Sequence, residues 1–282
     1  MLSFSKIFIV LSLPMLAFCF APPPHSTRVA VATLPSLRMS TTTEEEVAVD
    51  VNPRKEGLAL QLDDGTRKSH SIAQNSAFVK GFFKGLSNRD SYSKLLTSLY
   101  FVYVAMEEAF DATTEERVKQ MDGNKELRRV DSARKDMEYF YGEGWEEKIK
   151  PSGATQRYVA RIQEVARDNP KLLIGHQYTR YLGDLFGGQM MGGMATKSLG
   201  LSDGKGIDFY KFNDIDDSTD FITKWYTKLN ALDLTDEEKA AIVDEANLIF
   251  ALNIEILEEL EGSAFKAVLK FVFKSFKEKV GL

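Results

Sequence analysis

A chain of 282 residues with 44% hydrophobic content is long enough for one large globular domain or two small ones. A net charge of −5 argues against a nucleic-acid binder, which would carry a basic excess. The single cysteine, Cys19, excludes intrachain disulfides and thiolate metal sites, and three histidines, His25, His70 and His176, are the whole supply for imidazole chemistry.

The chain opens on targeting grammar. Residues 1–19 carry Lys6, the apolar stretch IFIVLSLPMLAF and small residues near Cys19, as a signal peptide does. The apolar run is short and broken by Pro14, which disfavours a spanning helix. Residues 20–40 hold Ser, Thr and Arg, and no acid precedes Glu44, which is transit-peptide composition. The junction AFCFAPPP resembles the bipartite presequences of algae whose plastids have extra membranes, and this implies import into a plastid, with the stroma as destination. His25 leaves with such a presequence, as do Lys6, Arg28 and Arg38, and the charge falls to about −8. An acidic linker over 41–54 precedes the domain.

Beyond Pro53 only Pro151 and Pro170 occur, strand alternation is nearly absent and helical periodicity dominates. The pattern predicts helices near 55–86, 90–111, 126–141, 153–168, 171–199, 218–232, 236–261 and 264–280, hence an all-α, single-domain multi-helical bundle over 55–262 and a C-terminal amphipathic helix over 263–282. Asp90 or Ser91 is the expected cap of the second helix, Ser218 of the sixth, and Thr235 or Asp236 of the seventh, which stops at Gly262. In the tail, Phe265, Val268, Leu269, Val272, Phe273, Phe276 and Val280 form an apolar stripe beside Lys266, Lys270, Lys274 and Lys277. Lysines interrupt every turn, so the tail is no membrane span. It either docks on the core or offers a basic face to an acidic partner or an anionic membrane surface.

The common chemistries of helical bundles are missing. A di-iron site needs Glu-x-x-His pairs, but Arg67 and Leu173 stand three residues before His70 and His176. No phosphate-binding loop, nucleophile elbow, or flavin or nicotinamide fingerprint is present. The stretch HQYTRYLGDLFGGQMMGGMA, residues 176–195, is different. It has helical spacing yet contains Gly183, Gly187, Gly188, Gly192 and Gly193, each costing about 1 kcal/mol against alanine inside a helix. Such bare backbone serves either a close helix crossing or a flat ligand, and the helix alone does not decide between them. Met190, Met191 and Met194 add adaptable packing nearby. A flat ligand suggests haem, and haem wants an axial ligand. His70 lies on an amphipathic helix with Ile72, Ala73, Phe78 and Phe82, whereas His176 precedes Gly183 by about two turns.

The segments LDDGTRKSHSIAQNSAFVKGFFKG, SLYFVYVAMEEAF, QRYVARIQEV, GHQYTRYLGDLFGGQMMGG and EANLIFALNIEILEELEG, in this order, resemble haem oxygenase of the cyanobacterial and plastid type. The resemblance implies haem b sandwiched between a proximal helix and a kinked, glycine-rich distal helix. It makes His70 the iron ligand, with Gln74 one turn on where the family usually has Glu. Gly183 and Gly187 match positions where backbone approaches the dioxygen site. Asp184 matches a distal carboxylate that anchors water and supplies a proton, with Tyr103, Arg180 and Asn253 in the same network. Tyr178 resembles a contact to a haem propionate, Arg67 is a retained base one turn before His70, and Phe250 resembles a pocket wall. The implied reaction converts haem to biliverdin, carbon monoxide and ferrous iron with dioxygen and external electrons. Ferredoxin or a similar reductase is the implied donor, and bilin-processing enzymes are possible downstream partners.

Departures cluster on the propionate side. Asp63 stands where a base is often found, and Ile222 and Tyr226 occupy two further positions usually basic. Lys224 and Lys228 lie nearby as substitutes, and Phe186 puts bulk on the distal side. These changes leave the porphyrin edge that is cut open, and they keep alive a non-catalytic haem-binding or haem-buffering protein on the same fold. A purely structural helical protein is the third reading.

Overall fold

The computed structural model describes residues 52–76, 79–81, 88–122 and 125–261. The expected presequence, most of the linker and the C-terminal helix lie outside these residues. Among the described residues the regular structure is all helical, with no strand, the expected architecture. The elements are α1 (Gly57–Gln74), α2 (Arg89–Ala112), α3 (Glu116–Met121), α4 (Val130–Tyr141), α5 (Trp145–Lys148), α6 (Gly153–Asp168), α7 (Leu173–Gln177), α8 (Gln189–Leu199), α9 (Ser218–Asn230) and α10 (Asp236–Glu261). No helix among the described residues is long and apolar enough to cross a membrane.

Helix α10 is the spine, packed on α1, α2, α6 and α7. Its start is a reciprocal capping box: the Glu238 N–H donates to the Thr235 hydroxyl at 3.2 Å, and the Thr235 N–H donates to Glu238 at 2.9 Å. Two other caps differ by a residue or two from expectation. Asn88, rather than Asp90 or Ser91, accepts the Ser91 N–H at 2.8 Å, and Asp217, rather than Ser218, accepts from Thr219 and Asp220. All of these residue types cap well, so the backbone path selects among them. The first predicted helix is interrupted. Asn75 leaves helical geometry at φ −90°, ψ 4°, and Ser76 then accepts the Val79 N–H. The short polar side chains of Asn75 and Ser76 compete with the helical ladder for its own backbone groups. The short helices α3 and α5 lack enough turns to leave a periodic signature.

Helix α6 shows how periodicity becomes packing. Ala154, Tyr158, Ile162 and Val165, spaced three and four apart, are all buried, and full burial of a large apolar side chain is worth about 1.5–3 kcal/mol. Its first turn is tied to the spine, where the Ala154 N–H donates to Glu259 at 2.9 Å.

Two close approaches place the site. Helices α1 and α10 meet where Gly65 faces Val243, and a methyl on Gly65 would lie 2.5 Å from the valine Cγ1. One turn on, the Ser69 hydroxyl donates to Asn247 at 2.5 Å, while the Asn247 amide donates to the Gly65 carbonyl at 3.1 Å. Helix α7 likewise crosses α10 at Gly175, where an added methyl would approach the Ile242 carbonyl to 3.0 Å.

Candidate functional site

The expected glycine helix forms one continuous helical run from Leu173 to Leu199, but it is not uniformly α. Residues Tyr178–Leu182 and Asp184–Gly188 are two π-helical stretches in series, with Gly183 between them. Widened turns of this kind are rare and re-aim side chains. Such stretches are one of the physical causes of a helix bend that needs no proline.

The glycines divide into two groups. A methyl on Gly188 would lie 2.7 Å from Tyr210 Cδ1, and one on Gly192 would lie 3.2 Å from Tyr210 Cβ. These two serve close packing. The direction in which Gly183 would carry a methyl meets nothing within 4 Å. So two glycines of the run serve a close crossing, whereas the Cβ directions of Gly183 and Gly193 are open.

Asp184 is 9% exposed and sits at the centre of a polar cluster. Its Oδ2 accepts the Tyr103 hydroxyl at 2.5 Å and an Arg180 guanidinium N–H at 2.6 Å. A second Arg180 nitrogen donates to Asn253 Oδ1 at 2.8 Å, and the Asn253 amide donates to the Ile249 carbonyl at 2.8 Å. Four separate sequence positions thus converge on α2, the distal run and α10. Burial pushes the Asp184 carboxyl upward, opposed by the charge of Arg180 and by the hydrogen bonds from Tyr103 and Arg180. Burial, and then the neighbouring Asp184 charge, hold Tyr103 far above the usual tyrosine range, so it remains a donor.

His70 faces the Phe250 ring edge-on, with centroids 5.8 Å apart. Burial lowers its pKa, Asp63 works against this and Arg54 adds to it. The neutral imidazole that results at neutral pH is the metal-binding form. Phe250 and Asn253 lie about one turn apart on α10, so the spine touches His70 on α1 and Arg180 on the distal run. At the other end the Tyr178 hydroxyl shares a hydrogen bond with Thr66 on α1, and burial pushes that phenol up to about 12. Gln74 sits half-buried one turn after His70. Gly187 and Phe186 are half-buried on the second π stretch.

His176 has a different role. Its ring is fully buried, and Nε2 lies 3.1 Å from Glu245, which also takes two bonds from Arg161 at 3.1 and 2.6 Å. Burial disfavours the Glu245 charge, but His176 and Arg161 more than offset this and hold its pKa low. This buried cluster ties the distal run to α6 and α10.

On the propionate side, Arg67 is exposed and pairs with Asp64 at 2.5 Å and Asp63 at 3.5 Å. Ile222 and Tyr226 are core residues, whereas Lys224 points outward onto Asp220 and Lys228 is exposed. Sequence reasoning missed two residues here. Arg54 reaches Asp63 at 2.6 Å from a turn inside the segment read as linker. Tyr210, on a short 3-10 turn, feels the charges of Asp184 and Arg180. A loop tyrosine carries no periodic signal. That turn is pinned by Asp136, which accepts the Asp208 and Phe209 N–H groups at 2.8 Å each.

A half-buried neutral histidine, an open glycine backbone and a buried carboxylate between two helices fit a flat iron-bearing ligand. The family model described as "Heme oxygenase" matches residues 56–259. The chain is 43% identical over 222 residues to "Heme oxygenase 1" of the cyanobacterium Synechocystis, covering 79% of this chain and 92% of that one. It is 40% identical over 220 residues to "Heme oxygenase" of Rhodella violacea, covering 78% and 94%. The crystal structure of Synechocystis heme oxygenase-1 in complex with heme aligns with a TM-score of 0.71 at 43% identity, covering 78% of this chain and 99% of that one. The chain belongs to the heme oxygenase family.

Proposed function

We propose that this protein opens haem oxidatively to biliverdin, carbon monoxide and ferrous iron, using dioxygen and electrons from a separate donor. The observation that carries the reading is the Asp184 cluster beside an unobstructed Gly183, on a helix set against the one that bears His70. Bound haem supplies the iron that activates dioxygen and the porphyrin that is cut.

The chain's residues supply binding, space and protons. His70 offers a neutral ring nitrogen to iron, and the Phe250 edge restrains the imidazole plane. Gln74, one turn after His70, would accept the other ring N–H with a neutral oxygen, which makes the imidazole a weaker donor than a carboxylate partner would. Gly183 and Gly187 bring backbone rather than side chain to the distal face. Tyr103 and Arg180 both load Oδ2 of Asp184, so Oδ1 is the oxygen that holds ordered water. Held by Tyr103 and Arg180, the Asp184 carboxylate orders that water, and the water relays protons to the reaction. Asn253 fixes Arg180, and Arg180 fixes Asp184.

We assign the electrons to ferredoxin or a similar small reductase, because the sequence carries no flavin or nicotinamide fingerprint and the relatives include cyanobacterial and red algal proteins. The same relatives and the composition of residues 1–40 support a plastid location, and bilin-processing enzymes would take the product. The test is replacement of Asp184 by alanine. Haem should still bind, with a histidine-ligated spectrum, while biliverdin per haem consumed collapses and peroxidase-type oxidation of guaiacol rises. Wild-type biliverdin yield from that variant would remove Asp184 from the mechanism.

A further inference from the structure

The corner of the site beyond His70 holds an acid where the resemblance implies a base, yet a base reaches it from another segment. Residues Pro53–Lys55 form a 3-10 turn capped by Asn52. The turn is clamped to α9 by Asn230, whose amide donates to the Pro53 carbonyl at 2.6 Å while its oxygen accepts the Ala59 N–H at 3.0 Å. Gly57, at φ +54°, makes the approach possible, since a methyl there would lie 2.7 Å from the Asn230 oxygen. The clamp aims Arg54 at α1, where its guanidinium bonds Asp63 at 2.6 Å.

Tyr226 lies one turn before Asn230 on α9. It is 1% exposed and its hydroxyl has no hydrogen-bond partner. A hydroxyl buried without a partner is costly, which marks it as a donor held for something that binds. Its surroundings say what. The charged groups that act on Tyr226 are Arg54 and Asp63, with the Tyr178 phenol beside them, and the same Arg54 and Asp63 act on His70 and Tyr178. Through the Asn230 clamp, the turn that carries Arg54 lies against α9 about one helical turn from Tyr226. Asp63 precedes His70 by two helical turns, on the order of 10 Å along α1, comparable to the reach from the centre of a porphyrin to its carboxylates. A guanidinium presents five donors on a planar fork, enough to serve two carboxylates.

We propose that Arg54 and Tyr226 bind a carboxylate of haem, with Asp63 as the positioning residue that aims Arg54. The N-terminal turn and α9 thereby take over the anion-holding task that Asp63 and Ile222, by their chemistry, cannot perform. The inference rests on haem being the ligand.

The experiment is a titration of the haem-free protein with haem and with haem dimethyl ester, in which both carboxylates are blocked, followed by the Soret band. Wild type should prefer haem. Tyr226→Phe and Arg54→Ala should each weaken haem about tenfold, the scale of one hydrogen bond to a charged group, and leave the ester unchanged. Thermal unfolding of haem-free Tyr226→Phe should be no lower than wild type, because the hydroxyl removed has no partner. Haem affinity unchanged in both variants, or equal losses for haem and its ester, overturns the proposal. A wild type that binds neither compound overturns the haem reading itself, a distinct outcome.

Discussion

Gly183→Ala separates folding from chemistry at the centre of the site. Gly183 has φ −58°, ψ −44°, a conformation alanine adopts freely, and the added methyl meets nothing within 4 Å. Removing an interior helical glycine is worth about 0.5–1 kcal/mol. In a domain of this size that raises the unfolding midpoint of the haem-free protein by about 1–4 °C. In the proposed site the same methyl would enter the space on the distal face, where a misplacement of about 1 Å costs on the order of 100-fold in rate. Biliverdin formation should therefore fall by about 10- to 100-fold while stability rises. Gly188→Ala is the contrast, since its methyl would lie 2.7 Å from Tyr210 Cδ1. Overpacking of that kind costs about 1–3 kcal/mol. The assays are thermal melts of the haem-free variants and single-turnover biliverdin absorbance with ascorbate. A lowered melting point for Gly183→Ala, or turnover equal to wild type, would refute the division of the glycines into packing and cradle positions.

His70→Ala should abolish the histidine-ligated haem spectrum while the fold persists, and added imidazole should partly restore the spectrum. His176→Ala should do the opposite, keeping the spectrum and losing about 1–3 kcal/mol of stability, because Glu245 loses one buried hydrogen-bond partner while Arg161 still holds its charge. The Glu245 pKa is lower in the folded protein than unfolded, so its contribution to stability is present above the unfolded value of about 4.3 and is lost as pH falls through the folded value. Glu245→Gln should flatten the loss of stability in acid, and denaturant melts from pH 7 downward read the difference. Changing Lys266, Lys270 and Lys274 to Glu should slow ferredoxin-driven turnover more than ascorbate-driven turnover, with the gap shrinking as salt rises because exposed charges are screened over about 10 Å at 0.1 M. Equal rates with both donors would leave that stripe an ordinary solvated face.

The helical architecture was legible because apolar residues recur at three and four over long runs, as in α6 and α10. What escaped was set by tertiary context. The choice of Asn88 and Asp217 as caps depends on where the backbone turns, since their neighbours cap equally well. The π-helical stretches have no residue pattern of their own, although the glycines and Asp184 marked the place. Scarcity and resemblance singled out His70, yet only the Glu245 and Arg161 contacts show why His176 is buried structure. Arg54 was invisible because its role depends on Asn230, far along the chain, folding back onto Pro53. Asp63, which reads in sequence as a lost base, is in the structure the anchor of a base from another segment.

The most direct measurement mixes the purified protein with equimolar haem, oxygen and either ascorbate or reduced ferredoxin, and follows the visible spectrum. The account predicts that the Soret band of the bound haem decays while biliverdin absorbance grows and carbon monoxide and ferrous iron are released. A Soret band that persists under reductant and oxygen, with haem recovered intact, would contradict it and leave a protein that only holds haem.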